Sequence, residues 1–238
     1  MAEHEVGTAA QPGPVASGTS RGRFRRQVRD DVKEVALRQL QVGGAQAVSV
    51  NAIAKELGVS GPALYRYFSS RDELLAELIT DAYHDLARAM GTAVADQQLS
   101  PDQRLWELAR AYRAWAVGQP HRYRLLFRAP LPGYDPYTAQ LVAAAHRSME
   151  VLLALMKDLP APSRAPASEA LGVQFDRWVQ ARELEDVDSS LARRAVSVWA
   201  RMHGLVSLEI DGNFASMGLD GESFYAAELQ ELGRSRVL

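Results

Sequence analysis

The sequence predicts an all-α protein in two parts: an N-terminal three-helix helix-turn-helix head and a larger helical body. Three observations carry that expectation. Apolar residues recur at three- and four-residue spacing from about Phe24 nearly to the end of the chain. Strand-like alternation never lasts more than a few residues, and no internal repeat is visible. Charge is divided, with ten Lys/Arg against four Asp/Glu between Arg21 and Arg71, and 17 against 23 from Asp72 onward. A basic head on an acidic body presents one end to phosphate.

Composition narrows the classes further. A chain of 238 residues buries a substantial core in one large or two small domains. There is no cysteine, which excludes disulfides and thiolate zinc sites and fits a reducing cytoplasm. No apolar run approaches the roughly 20 residues of a membrane span. The first 20 residues lack the apolar core of a secretory signal. Catalytic signatures are missing: there is no G-x-S-x-G, no phosphate-cradling glycine loop, no G-x-G-x-x-G and no H-E-x-x-H. The five histidines share no ligand spacing on a helix face. The expectation is a protein that is not an enzyme and holds no cofactor or metal.

Taken in order, residues 1–22 are rich in Gly, Ala, Ser, Thr and Pro without periodicity, which predicts a disordered tail. Arg21, Arg23, Arg25 and Arg26 then crowd around Phe24, as an arm reaching phosphate or an adjacent minor groove. A first helix spans about 24–42, with Val28, Val32, Val35, Ala36 and Leu40 on its buried stripe, and ends at Gly43-Gly44. Ser49 is an N-cap, and Val50, Ile53, Ala54 and Leu57 mark a short second helix stopped by Gly58. Ser60 or Gly61 caps a third, where Pro62 falls near the first helical position and its missing N–H costs nothing. Leu64 and Phe68 lock this helix inward. Two short helices joined by Gly58-Val59-Ser60 form a helix-turn-helix whose second helix enters the DNA major groove. The head is expected over 23–70 and the body over 71–238, joined by a long fourth helix from about Arg71 to Ala95 that acts as a lever.

Ile53-Ala54, Leu57-Gly58-Val59-Ser60, Leu64-Tyr65, Tyr67-Phe68 and Arg71-Asp72-Glu73-Leu74-Leu75 resemble the helix-turn-helix core of the tetracycline-repressor (TetR/AcrR) family. Tyr67 stands where histidine is frequent and Arg71 where lysine is usual. By this resemblance Tyr65, Tyr67 and Arg71 bind phosphates, with Ser49 and Ser60 assisting. Base reading falls to the exposed start of the third helix. Gly61, Pro62 and Ala63 offer only apolar contact there, and Arg66 is the side chain able to donate twice to guanine. Arg23, Arg25 and Arg26 complete the expected DNA contacts.

The body reads as further helices over about 101–118, 120–129, 137–159, 167–185, 189–210 and 221–232, with a Pro/Gly-rich break at 130–136 and a loop at 160–166. Trp199-Ala200-Arg201-Met202-His203-Gly204 resembles the Trp–His–Gly element of one class of C-terminal domains in the family. The resemblance implies a homodimer, with Leu171, Phe175, Trp178, Val179, Val196, Leu205 and Leu208 available for the dimer face. It also implies a pocket for an unidentified small-molecule effector. Trp106, Arg110, Tyr112, Trp115, Phe127, Phe175, Trp178, Trp199 and His203 are the candidates for its lining. The implied function is a cytoplasmic homodimeric repressor released from a palindromic operator by its ligand. The alternative is a helical activator or partner-binding protein without that release.

Overall fold

The computed structural model describes residues 20–128, 135, 138–160 and 168–234. Among them the chain forms eleven α-helices and one 3-10 turn, and no strand. The head comprises α1 (Ser20–Gly43), the 3-10 turn Ala45–Ala47, α2 (Val50–Glu56) and α3 (Gly61–Leu64). Then come α4 (Arg71–Ala93), α5 (Pro101–Gly118), α6 (Pro120–Phe127), α7 (Ala139–Asp158), α8 (Glu169–Gln180), α9 (Ser189–Ile210), α10 (Asn213–Ser216) and α11 (Gly221–Arg234). No helix among the described residues is long and apolar enough to cross a membrane.

Local chemistry sets the helix starts. Ser49 Oγ accepts from the Ala52 N–H at 3.3 Å and Ser70 Oγ from the Glu73 N–H at 3.0 Å. Asp188 does the same for Leu191 at 2.7 Å. At α5 the Ser100–Gln103 capping box satisfies two orphan donors reciprocally, with Pro101 behind it. Gly58 stops α2 at φ +68°, a left-handed conformation in which a Cβ is strained.

Two cores lie along α4. Leu74, Leu75, Leu78 and Ile79 join Val32, Val35, Ala36 and Leu40 of α1, Ile53 and Ala54 of α2, and Leu64 and Phe68 in the head core. Ala82, Leu86 and Met90, further along the same helix, join the body core of α5, α7, α9 and α11. The head core also takes Leu125 from α6 and Leu141 from α7, so body helices plug directly into it.

Several expectations shift. The tail expected over 1–22 lies outside the described residues up to position 19, while Ser20–Gly22 form the first turn of α1. The arginines Arg21–Arg26 therefore stand on a helix and not on an extended arm, because arginine is a good helix former and nothing but Gly22 interrupts the run. The third helix is a single α-turn. Beyond it Arg66 and Tyr67 donate to Ala63 and Leu64, three residues back, so the ladder tightens before Phe68. Helix α8 ends at Gln180, five residues early, in a turn that carries Glu183 at φ 51° and Asp186 at φ 55°. The breaks expected at 130–136 and 160–166 fall almost wholly outside the described residues, which include only Asp135 and Pro160 of them. Helix α10, opened by left-handed Gly212, had no periodicity to reveal it.

Candidate nucleic-acid interface and regulatory body

The head sorts its cations by partner. Arg29 is clamped by Glu77 and the Tyr67 carbonyl, and its guanidinium lies 4.3 Å over the Phe68 ring. Lys33 pairs with Asp81 at 2.8 Å, and Arg38 bridges Glu34 and Glu56 at 2.7 and 2.8 Å. Among the described residues the side chains of Arg21, Arg23, Arg25, Arg26, Lys55 and Arg66 make no ion pair or hydrogen bond to the protein. These free charges sit on α1's first turns, at the end of α2 and just after α3.

The residues of α2 and α3 are placed as a helix-turn-helix requires. Leu64 and Phe68 are fully buried, which turns Tyr65 outward at 45% exposure. Arg66 is exposed and Tyr67 half-buried. Gly61, Pro62 and Ala63 occupy the start of α3, and Ser60 flanks it with a hydroxyl that makes no cap hydrogen bond. The Ser49 hydroxyl, by contrast, is occupied in capping α2. Arg71 is turned inward: it donates to the Ala45 carbonyl at 2.5 Å, and its Nε is buried without a partner. Its expected phosphate contact thus competes with a tether to the 3-10 turn. At the start of α4, Glu73 accepts from the Ser69 hydroxyl and N–H, both at 2.6 Å, and these bonds hold its carboxyl below the ordinary range.

Arg21, Phe24 and Arg25 line one wall of a cleft of about 390 Å³ whose other wall is Ala63, Arg66 and Tyr67. Their spacing of i, i+3 and i+4 puts them on one helix face, and Arg23 and Arg26 fall on the other side. Sequence reasoning did not separate these two faces.

In the body, the nine candidate pocket residues do not share one cavity. Trp106 and Arg110 line a groove of about 350 Å³ between α5 and α11. Trp115 is core, its indole N–H donating to Asp85 at 3.1 Å. Phe175 and Trp178 lie on α8, and Arg182, just past its end, stacks 4.6 Å over the Trp178 ring. The remaining four, Tyr112, Phe127, Trp199 and His203, converge. His203 stacks on Trp199 at 5.1 Å, meets Phe127 edge-on at 4.5 Å, and shares its Nδ1 with the hydroxyls of Tyr123 at 2.9 Å and Tyr112 at 3.3 Å. Burial lowers the His203 pKa and, acting first among several causes, pushes Tyr123 up to about 12. Sequence reasoning missed Tyr123; its place four residues before Phe127 on an amphipathic helix was the available signal.

Helix α6 carries this cluster's connection to the head. Tyr123 and Phe127 face His203, Arg124 donates to the Ile210 carbonyl at 2.7 Å, Arg128 pairs with Asp211, and Leu125 lies in the head core. Arg122 pins the helix to Asp85 of α4 at 2.8 Å.

Similarity to known proteins agrees with this layout. Residues 34–78 match "Bacterial regulatory proteins, tetR family", and residues 105–232 match "Tetracyclin repressor-like, C-terminal domain". The HTH-type transcriptional regulators Mb1846 of Mycobacterium bovis and Rv1816 of Mycobacterium tuberculosis are each 33% identical over 204 residues, 81% of this chain and 84% of theirs. The crystal structure of SCO4313 superposes with a TM-score of 0.74 at 40% identity, covering 90% of this chain and 98% of that one.

Proposed function

The chain belongs to the tetracycline-repressor family of transcriptional regulators, and we propose that it acts in the cytoplasm as a homodimeric repressor released from a palindromic operator by a small-molecule ligand. The observation that carries the DNA-binding face is the set of unpaired cations around α3. An arginine that has no protein partner is free to replace counterions on DNA. In this reading residues 23–70 bind DNA and 71–238 regulate and dimerise. Arg66 reads guanine, Tyr65, Tyr67 and the Ser60 hydroxyl hold phosphates, and Gly61, Pro62 and Ala63 give close apolar contact. Arg23, Arg25, Arg26, Ser49 and Arg71 complete the proposed contacts, Ser49 and Arg71 only where DNA binding frees them from their protein partners.

Support for a dimer comes from α8, which has no buried residue although it carries Leu171, Phe175, Trp178 and Val179. Leu171, Val173 and, on α9, Leu208 are 38, 42 and 46% exposed. Covering that face with a second copy removes it from water, and paired heads supply specificity that one short reading helix lacks. Release follows if ligand binding beside His203 shifts α6 and with it α4, which with α7 are the elements shared by both cores.

Genomic-fragment selection with purified protein, followed by binding to the winning sequence at several salt concentrations, tests the reading. A palindrome bound by two subunits far more tightly than random DNA supports it. Weak binding that vanishes with salt and shows no motif leaves only a basic helical protein.

A further inference from the structure

The helical form of α1's first turns changes what its arginines are able to reach. A helix is about 10–12 Å across with its side chains, whereas the minor groove of B-DNA is about 6 Å wide. Arg21 and Arg25 stand on such a helix, so they do not follow the minor groove as an extended arm does. They face α3 across a cleft with Phe24 between them and Arg66 opposite. Phe24 is 65% exposed and lines that cleft, so its ring is open to whatever the two arginines hold. Three unpaired guanidinium groups around one exposed ring select a ligand that is anionic on one side and apolar on the other. Residues 20–33 also lie N-terminal to the stretch matched by the family's DNA-binding domain.

We propose that Arg21 and Arg25 clamp one phosphodiester of the operator backbone beside the base that Arg66 reads, while Phe24 packs on the adjoining deoxyribose. The clamp rests on the DNA-binding reading above and assigns Arg21 and Phe24 to it. The phosphate held by α1 fixes the depth at which Arg66 enters the major groove, so the two helices act as one recognition unit. Arg23 and Arg26, on the opposite helix side, take no part in this clamp.

The test uses the full chain and its selected operator. In Arg21→Ala/Arg25→Ala, affinity falls about 10- to 100-fold on the operator and by a smaller factor on random DNA, where Arg66 has no matching base to be positioned against. The slope of log affinity against log salt becomes shallower by about 1.8, since each phosphate neutralised contributes about 0.9 and the dimer clamps two, one per subunit. Arg21→Lys/Arg25→Lys restores the slope, and Phe24→Ala weakens binding about 3- to 10-fold without changing it. Replacing A·T pairs flanking the half-site by G·C leaves the loss in the double alanine variant unchanged. Both arginines are exposed and unpartnered, so the thermal midpoint stays at the wild-type value and reports intact folding. An unchanged salt slope overturns the clamp, as does a loss that depends on flanking A·T content, the mark of minor-groove contact. A wild type without any operator preference instead defeats the DNA-reading assignment beneath it.

Discussion

In the body, Arg113 donates to both carboxylate oxygens of Glu209 at 2.8 and 2.6 Å and reaches Glu222 at 3.3 Å, tying α5 to α9 and α11. In the head, Arg21, Arg25 and Arg66 share one cleft and make no such bond. The side chains are identical, and their surroundings differ. An arginine desolvated against two carboxylates holds helices together; one left in water is held in reserve for an external anion. Even backbone spacing serves the paired site. Gly221 lies so close over Glu209 that a Cβ there would fall 2.6 Å from its Cδ, so any larger residue displaces the Glu209 side chain that Arg113 holds.

The largest effect that sharpens this contrast is expected from Arg113→Ala. Removing the guanidinium leaves Glu209 largely buried and unpaired, costing about 3 kcal/mol of stability. Urea unfolding measures it, and a loss below about 0.5 kcal/mol would erase the distinction from a surface arginine. Arg66→Ala is the mirror case. Operator binding weakens by about 1–3 kcal/mol and sequence preference relaxes, while unfolding stays within about 0.5 kcal/mol of wild type. An equal loss on random DNA makes Arg66 a phosphate contact. Gly58→Ala follows at about 1 kcal/mol, felt as early melting of the head, because φ +68° strains any side chain.

The smallest effect is in pH. Burial lowers the His203 pKa from its ordinary 6.5, so the folded state favours the neutral ring. The stability this contributes is complete above pH 6.5 and is lost as pH falls below it, when the unfolded chain takes up a proton first. Thermal midpoints at mildly acidic and neutral pH should therefore diverge less in His203→Gln than in wild type. His146, lowered by burial and then by Arg182, keeps part of the dependence. Equal divergence in both proteins excludes His203 as a source.

Much of the fold was legible because its signals are local. The stripe Val32, Val35, Ala36 and Leu40 repeats within one helix, Ser49 announces the start of α2 within three residues, and Gly58 marks its own turn. The ligand candidates were less legible. Trp115 and Phe127 look alike in a helical pattern, yet the first is held by Asp85 in the core and the second meets His203 in the aromatic cluster. Composition cannot separate those fates, since each depends on contacts far away in sequence.

The division is plainest for charge. By itself the sequence determined that the chain is helical, that a helix-turn-helix lies in a basic N-terminal stretch, and that the body is acidic. It could not decide which cations are spent inside the protein. Arg29 meets Glu77 across 48 residues and Arg113 meets Glu209 across 96, while Arg21 and Arg66 meet no carboxylate at all. Helix periodicity is settled by neighbours three and four residues apart, whereas an ion pair is settled by which helices pack together, and that choice belongs to the tertiary structure.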